Sequence, residues 1–332
     1  MPDTAPPVAK HPASGSGGRK TGVAILSVAS NSVLILIKIA VGIAIGSVAV
    51  LSEAIHSAVD LVAALIALFA VHKASQAADE RHPYGHGKFE NISGTIEGVL
   101  IFFAAIWIIY SAVRKLLKPQ VIETPSWGVL VMLVSAILNT IVSQRLFKVG
   151  RETDSVALQA DGWHLRTDVY TSLGVMLGLL VIWVGGHIWP SANLAVIDPA
   201  VAIVVALMIM KAAYDLTKQA SRDLLDVSLP GEDVEWIPDF VKETWPAIRS
   251  FHRLRTRKAG SDRFIEFHLA VDDHMSVGEA HSLGDEIVVA IKERLPESHV
   301  HIHVEPCAYE CPETCETGCS VPKEERHKNG VR

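Results

Sequence analysis

The 332-residue chain is 49% hydrophobic and 20% charged, with a mean hydropathy of +0.30. Its charges are few and clustered, which an ordinary soluble domain does not show. Lys and Arg number 30 against 36 Asp and Glu, a formal charge of -6, so no basic surface argues for a nucleic acid partner. The cysteines all lie between Cys307 and Cys319, which excludes a disulfide scaffold for everything before them.

Residues 1–20 are rich in Pro, Ala, Ser and Gly, without the apolar run of a cleaved signal peptide, and are expected to form a disordered tail. Apolar stretches follow at residues 21–46, 48–71, 92–113, 127–146, 156–186 and 194–216. Each is long enough to cross roughly 30 Å of hydrocarbon at about 1.5 Å per helical residue. Only helices can do so here, because every backbone polar group must be satisfied within its own segment. The expected fold is a membrane all-α six-helix transmembrane domain over residues 21–222. Arg19, Lys20, Lys73, Arg81, Lys88, Arg145, Lys148, Arg151, Lys218 and Arg222 fall on the side of the termini, against Arg114, Lys115 and Lys118 on the other. That balance places both termini in the cytosol.

The character changes after Pro230. Residues 234–245 are amphipathic, 251–257 and 263–271 read as strands, 276–295 have helical periodicity, and 299–305 alternate His and acid with Val300, Ile302 and Val304. The order helix, strand, strand, helix, strand predicts a cytoplasmic α+β domain of ferredoxin-like, metallochaperone-like type over residues 230–306. Residues 307–332 form a Cys-containing polar tail.

Ionisable side chains within apolar spans are candidates for function because a bilayer penalises them. In the second span His56 and Asp60 are four residues apart and share one helical face; in the fifth, His164 and Asp168 repeat the arrangement. If the two helices pack together, two imidazoles and two carboxylates converge on one point, a set that suits tetrahedral Zn²⁺ and leaves no position for a catalytic water. A lone HxxxD pair would more often be a satisfied hydrogen bond. Glu97 and Lys38 also sit inside apolar spans without an assigned role, Lys38 being expected to snorkel toward the outer interface.

The similarity extends beyond these pairs. The segment Asp79-Glu80-Arg81-His82-Pro83-Tyr84-Gly85-His86-Gly87-Lys88, the stretch 194–214 with Asp198-Pro199, and His252-Arg253-Leu254-Arg255-Thr256-Arg257 resemble the cation diffusion facilitator family of divalent-metal transporters over residues 22–306. The resemblance implies a homodimer in a lipid bilayer, in a bacterial inner membrane, that exports Zn²⁺ or Fe²⁺, Co²⁺, Mn²⁺ or Cd²⁺ from the cytosol in exchange for protons. It matches His56, Asp60, His164 and Asp168 to the transport site, and His56 inclines that site toward Zn²⁺. It matches Asp79, His82 and His86 to a loop site. It matches His252, His268, His281, His303 and Glu305 to a cytoplasmic cluster at the dimer interface, where Zn²⁺ would also regulate. Between His252 and His303 lie seven of the chain's 15 histidines. Lys88 and Asp226 match a charge pair that locks protomers together, although a solvated pair has the same appearance.

No organic cofactor is expected, and no enzymatic activity. A membrane-embedded zinc hydrolase would need an open coordination position and a general base such as HExxH supplies; the intramembrane His56 and His164 are followed by Ser57 and Leu165 instead. A membrane metal sensor would need the His-rich domain but no ionisable groups buried in two spans. Cys307, Cys311, Cys315 and Cys319 are spaced by four, unlike the zinc-binding CxxC, and depart from the family; in a reducing cytosol they are thiols, candidates for an accessory metal or redox site.

Overall fold

The computed structural model describes residues 15–45, 48–117, 127–188, 197–307 and 318–322. The chain divides into two compact units, Met1–Leu224 and Leu225–Arg332.

The first unit contains α1 (Gly15–Ile45), α2 (Val48–Ala74), α3 (Lys88–Leu117), α4 (Trp127–Glu152), α5 (Val156–Ile188) and α6 (Ile197–Leu224). Among the described residues, Gly17–Ala44, Lys88–Arg114 and Pro199–Leu224 are long and apolar enough to cross a membrane. Leu36, Ile43, Phe103, Trp107 and Met208 are exposed on their outer surfaces, an apolar exterior that suits lipid. The most extensive helix pairings are α3 with α6, α1 with α2, and α4 with α5. Gly98 permits the first of these, since a Cβ there would stand 2.3 Å from the Thr217 hydroxyl of α6, while Gly94 makes room for α5, where a Cβ would stand 2.8 Å from Val156. Two small residues four apart let helix backbones approach where there is no hydrophobic drive between them.

Two expectations change here. α1 starts at Gly15, so residues 15–20 are helical rather than tail. The cause is Lys20, whose ammonium donates to Glu90 at 3.0 Å with both side chains buried, while the Ser155 hydroxyl donates to the other Glu90 oxygen. That buried, doubly bonded pair fixes the first turns despite the low helix propensity of Gly17 and Gly18. Lys38 does not snorkel: it is 5% exposed and donates to Ser57 of α2 at 2.7 Å.

The second unit contains α7 (Gly231–Val234), α8 (Trp236–Thr244), β1 (Ser250–Ala259), β2 (Asp262–Val271), α9 (Val277–Arg294) and β3 (Ser298–Pro306). The sheet order is β1-β2-β3, with β1 antiparallel and β3 parallel to β2. The parallel step requires a crossover, which α9 provides. Ser276 starts it with a capping box: its hydroxyl accepts from the Glu279 N–H, and the Glu279 carboxylate accepts from the Ser276 N–H. Ile237 and Val241 of α8 and Ile287 and Ile291 of α9 bury against Phe251, Ile265, Phe267 and Leu269 of the sheet. This is an α/β domain in the expected element order, with the short α7 added.

Part of the polar tail is structured. Cys319 bridges Ser250, the Phe251 N–H donates to Gly318 at 3.2 Å, and the Ser320 N–H donates to Arg249 at 2.8 Å. β1 is an edge strand, and the tail covers its open backbone groups. Gly318 permits it, since a Cβ there would lie 1.7 Å from the Phe251 carbonyl oxygen.

Candidate metal centres

Within the bundle, Asp60 projects from α2, and His164 and Asp168 from successive turns of α5. Their ligand atoms lie within 4.8 Å of one another, and His164 Nε2 is 3.1 Å from an Asp60 oxygen. Asp60 is buried, and His164 and Asp168 are half-buried. The i, i+4 spacing aims both α5 side chains at one point, and contact between α2 and α5 supplies the third. The His56 side chain lies outside the described residues.

The loop between α2 and α3 forms a second cluster. One Asp79 oxygen accepts the backbone N–H groups of Arg81 at 2.9 Å and His82 at 2.6 Å, closing a tight turn. The same carboxylate meets His82 Nδ1 at 3.2 Å and His86 Nε2 at 3.3 Å. All three ligand atoms lie within 4.8 Å. The backbone bond from His82, with the other donors, holds the Asp79 carboxyl below the usual carboxylate range. It therefore stays ionised, as a ligand must. His86 is buried, and its Nδ1 has no hydrogen bond.

The third cluster is a row across the sheet. His252 pairs with His268 between β1 and β2, and His268 pairs with His303 between β2 and β3. Glu305, two residues along β3 from His303 and therefore on the same face, places its oxygens 3.0 Å from His252 Nε2 and 3.2 Å from His268 Nδ1. These three again have ligand atoms within 4.8 Å. The β1 register shifts just after His252, with Arg253 at φ 54°, a bulge that bends the strand beside the cluster. Burial lowers the His252 imidazole, partly opposed by the Glu305 charge.

Other expected residues fall differently. His303 lies beside His268 with ring centroids 4.6 Å apart, but its Nε2 is 3.8 Å from Glu305, outside the tight trio. His281 stands apart on α9, exposed and 3.6 Å from Asp285, because the helix surface it occupies faces away from the sheet. Asp226 lies 3.6 Å from Arg257 of β1. Cys307 is buried and Cys319 partly so, both as free thiols; Cys311 and Cys315 lie outside the described residues. The sequence singled out neither Asp161 nor Ser27 and Asn31 of α1, although Asp161, His164 and Asp168 follow the i, i+3, i+7 pattern of one helical face.

A cation efflux transmembrane domain matches residues 24–225, and a cation efflux cytoplasmic domain matches residues 229–307. The chain belongs to the cation diffusion facilitator family. Among relatives of this cation efflux chain are an uncharacterised transporter of Synechocystis, 37% identical over 85% of this chain and 89% of that protein, and the cation-efflux pump FieF of Escherichia coli K12, 34% identical over 86% and 92% respectively. A solved structure of the transporter CzrB is 42% identical, covering 24% of this chain and 98% of that chain, with a TM-score of 0.23. Membership makes this cation diffusion facilitator chain a membrane protein and a metal efflux transporter.

Proposed function

We propose that the chain exports Zn²⁺ from the cytosol in exchange for protons, as a homodimer in a bacterial inner membrane with both termini in the cytosol and all six long helices spanning. Asp60, His164 and Asp168, with His56 as fourth ligand, hold the transported ion. The observation that carries this reading is the convergence of two α5 side chains and one α2 side chain within 4.8 Å inside a cation efflux transmembrane domain.

Imidazole and carboxylate donors suit Zn²⁺ at about 2.0–2.2 Å, although raw affinity alone does not exclude Fe²⁺, Co²⁺, Mn²⁺ or Cd²⁺. Proton coupling follows from the 3.1 Å contact between His164 and Asp60. A proton on His164 Nε2 occupies that contact, and an ion entering between the two groups must displace it. Metal loading therefore releases protons, and protonation expels the ion. In the cytoplasmic domain His252, His268 and Glu305, with His303 at their side, sense cytosolic metal between protomers and favour the tight dimer. The loop cluster of Asp79, His82 and His86 holds a further ion.

The test is metal flux in proteoliposomes under an imposed pH gradient, comparing Zn²⁺, Fe²⁺, Co²⁺, Mn²⁺ and Cd²⁺ in the wild type and Asp168→Ala. Gradient-dependent Zn²⁺ flux that disappears in the variant supports the reading; binding without flux of any ion would refute it.

A further inference from the structure

Two fully buried carboxylates of the bundle take no part in the site described above. Asp161 is on α5 and Glu97 on α3, both at 0% exposure. Neither Asp161 oxygen makes a hydrogen bond, and nor does one oxygen of Glu97; the other accepts from Ser93 at 3.2 Å. α3 packs against α5, which brings Glu97 and Asp161 near each other and near His164. The Ser27 hydroxyl of α1 faces Asp161 but completes no hydrogen bond, and Asn31, one turn further along α1, has an unbonded amide nitrogen. Ser27 and Asn31 are at least 98% buried. Buried polar groups are satisfied as a rule, and a cluster of orphans signals a bound ion or water.

Their arrangement is directional. Asp161 precedes His164 by three residues, about 4.5 Å along the axis, on the face that carries His164 and Asp168. α1, α3 and α5 all begin at the same end of the bundle, since their connecting helices run the other way. At that end Lys20, Glu90 and Ser155 form one bonded layer. Moving inward, Lys20 is followed by Ser27, Glu90 by Glu97, and Ser155 by Asp161, steps of six or seven residues or roughly 9–10 Å on every helix. Three polar layers therefore stack in register: the bonded end layer, the orphaned middle layer, and Asp60 with His164 and Asp168.

We propose that Asp161 and Glu97, with Ser27, form a relay site for the divalent cation on its way between the end where α1, α3 and α5 begin and the Asp60–His164–Asp168 site. The donors are oxygen-rich and lack imidazole, so the site takes a partly hydrated dication and holds it less specifically than the transport site. An ion there supplies the partner that the unbonded carboxylate oxygens lack, and the next ligand is one helical turn away. The relay rests on the transport reading.

The experiment compares full-length wild type, Asp161→Asn, Glu97→Gln and the double variant, all isosteric, alongside Asp168→Ala. Equilibrium Zn²⁺ binding in detergent and Zn²⁺ flux in proteoliposomes are measured on the same preparations. In Asp161→Asn and Glu97→Gln the Kd stays within about threefold of wild type while flux at saturating Zn²⁺ falls on the order of tenfold. Wild-type flux in the double variant overturns the relay and leaves the transport reading intact. Equal loss of binding and flux also overturns it, by assigning the carboxylates to the transport site or to folding. Wild type that binds Zn²⁺ without moving it overturns both.

Discussion

In the helical bundle, Asp60, His164 and Asp168 come from two helices among membrane-spanning segments, whereas in the sheet His252, His268 and Glu305 come from three adjacent strands of the cytoplasmic domain, and in each trio one residue is buried and two are half-buried. Donor types and spacing are alike, with ligand atoms inside 4.8 Å in both. What differs is the surrounding medium. Low dielectric makes the exchange of a dication for protons costly unless both occur together, which suits a coupled carrier. A partly solvated cluster binds without that obligation, which suits a sensor.

The largest effect that separates the two is expected from Asp60→Ala, which reduces Zn²⁺ flux in proteoliposomes to that of empty vesicles while metal binding by the cytoplasmic cluster persists. Glu305→Gln acts in the opposite sense. It removes the carboxylate that contacts both His252 and His268, so Zn²⁺ affinity at that cluster falls roughly 10–100-fold by calorimetry, whereas flux at saturating Zn²⁺ changes little.

The scaffolds differ in sensitivity too. Gly98→Val pushes a methyl group into Thr217 and destabilises the bundle by about 1–3 kcal/mol, read as a lower thermal midpoint in detergent. Gly318→Ala forces the tail off the Phe251 carbonyl at a cost of about 1 kcal/mol, read as faster proteolysis after Cys307.

The smallest effect is on pH. Because the folded His252 imidazole is lowered, the unfolded chain binds more protons just below the ordinary His value of about 6.5. Stability of the metal-free cytoplasmic domain therefore rises with pH through that window, and is lost as pH falls from about 6.5 toward the folded value. Urea midpoints of the metal-free protein should shift downward there, and His252→Ala should flatten the shift.

Much of the bundle site was legible because helix spacing is local: His164 and Asp168 announce a shared face from the sequence alone. The sheet row was less so. Which histidines join Glu305 depends on cross-strand register and on the bulge after His252, neither of which is written in local spacing. The start of α1 at Gly15 was hidden because the bond that fixes it, Lys20 to Glu90, joins residues 70 positions apart. The middle layer was missed for a related reason. Glu97 stood out inside an apolar span but without a role, Ser27 and Asp161 are unremarkable singly, and only their stacking across three helices makes them a group.

The central claim is that one ion and the protons it displaces share Asp60, His164 and Asp168. It is tested most directly by recording Zn²⁺ entry and internal pH simultaneously in proteoliposomes, for wild type and Asp60→Ala. Wild type should move protons opposite to Zn²⁺ in a fixed ratio, and the variant should abolish both signals together. Zn²⁺ flux that persists in Asp60→Ala, or wild-type flux with no matching proton movement, would contradict the account.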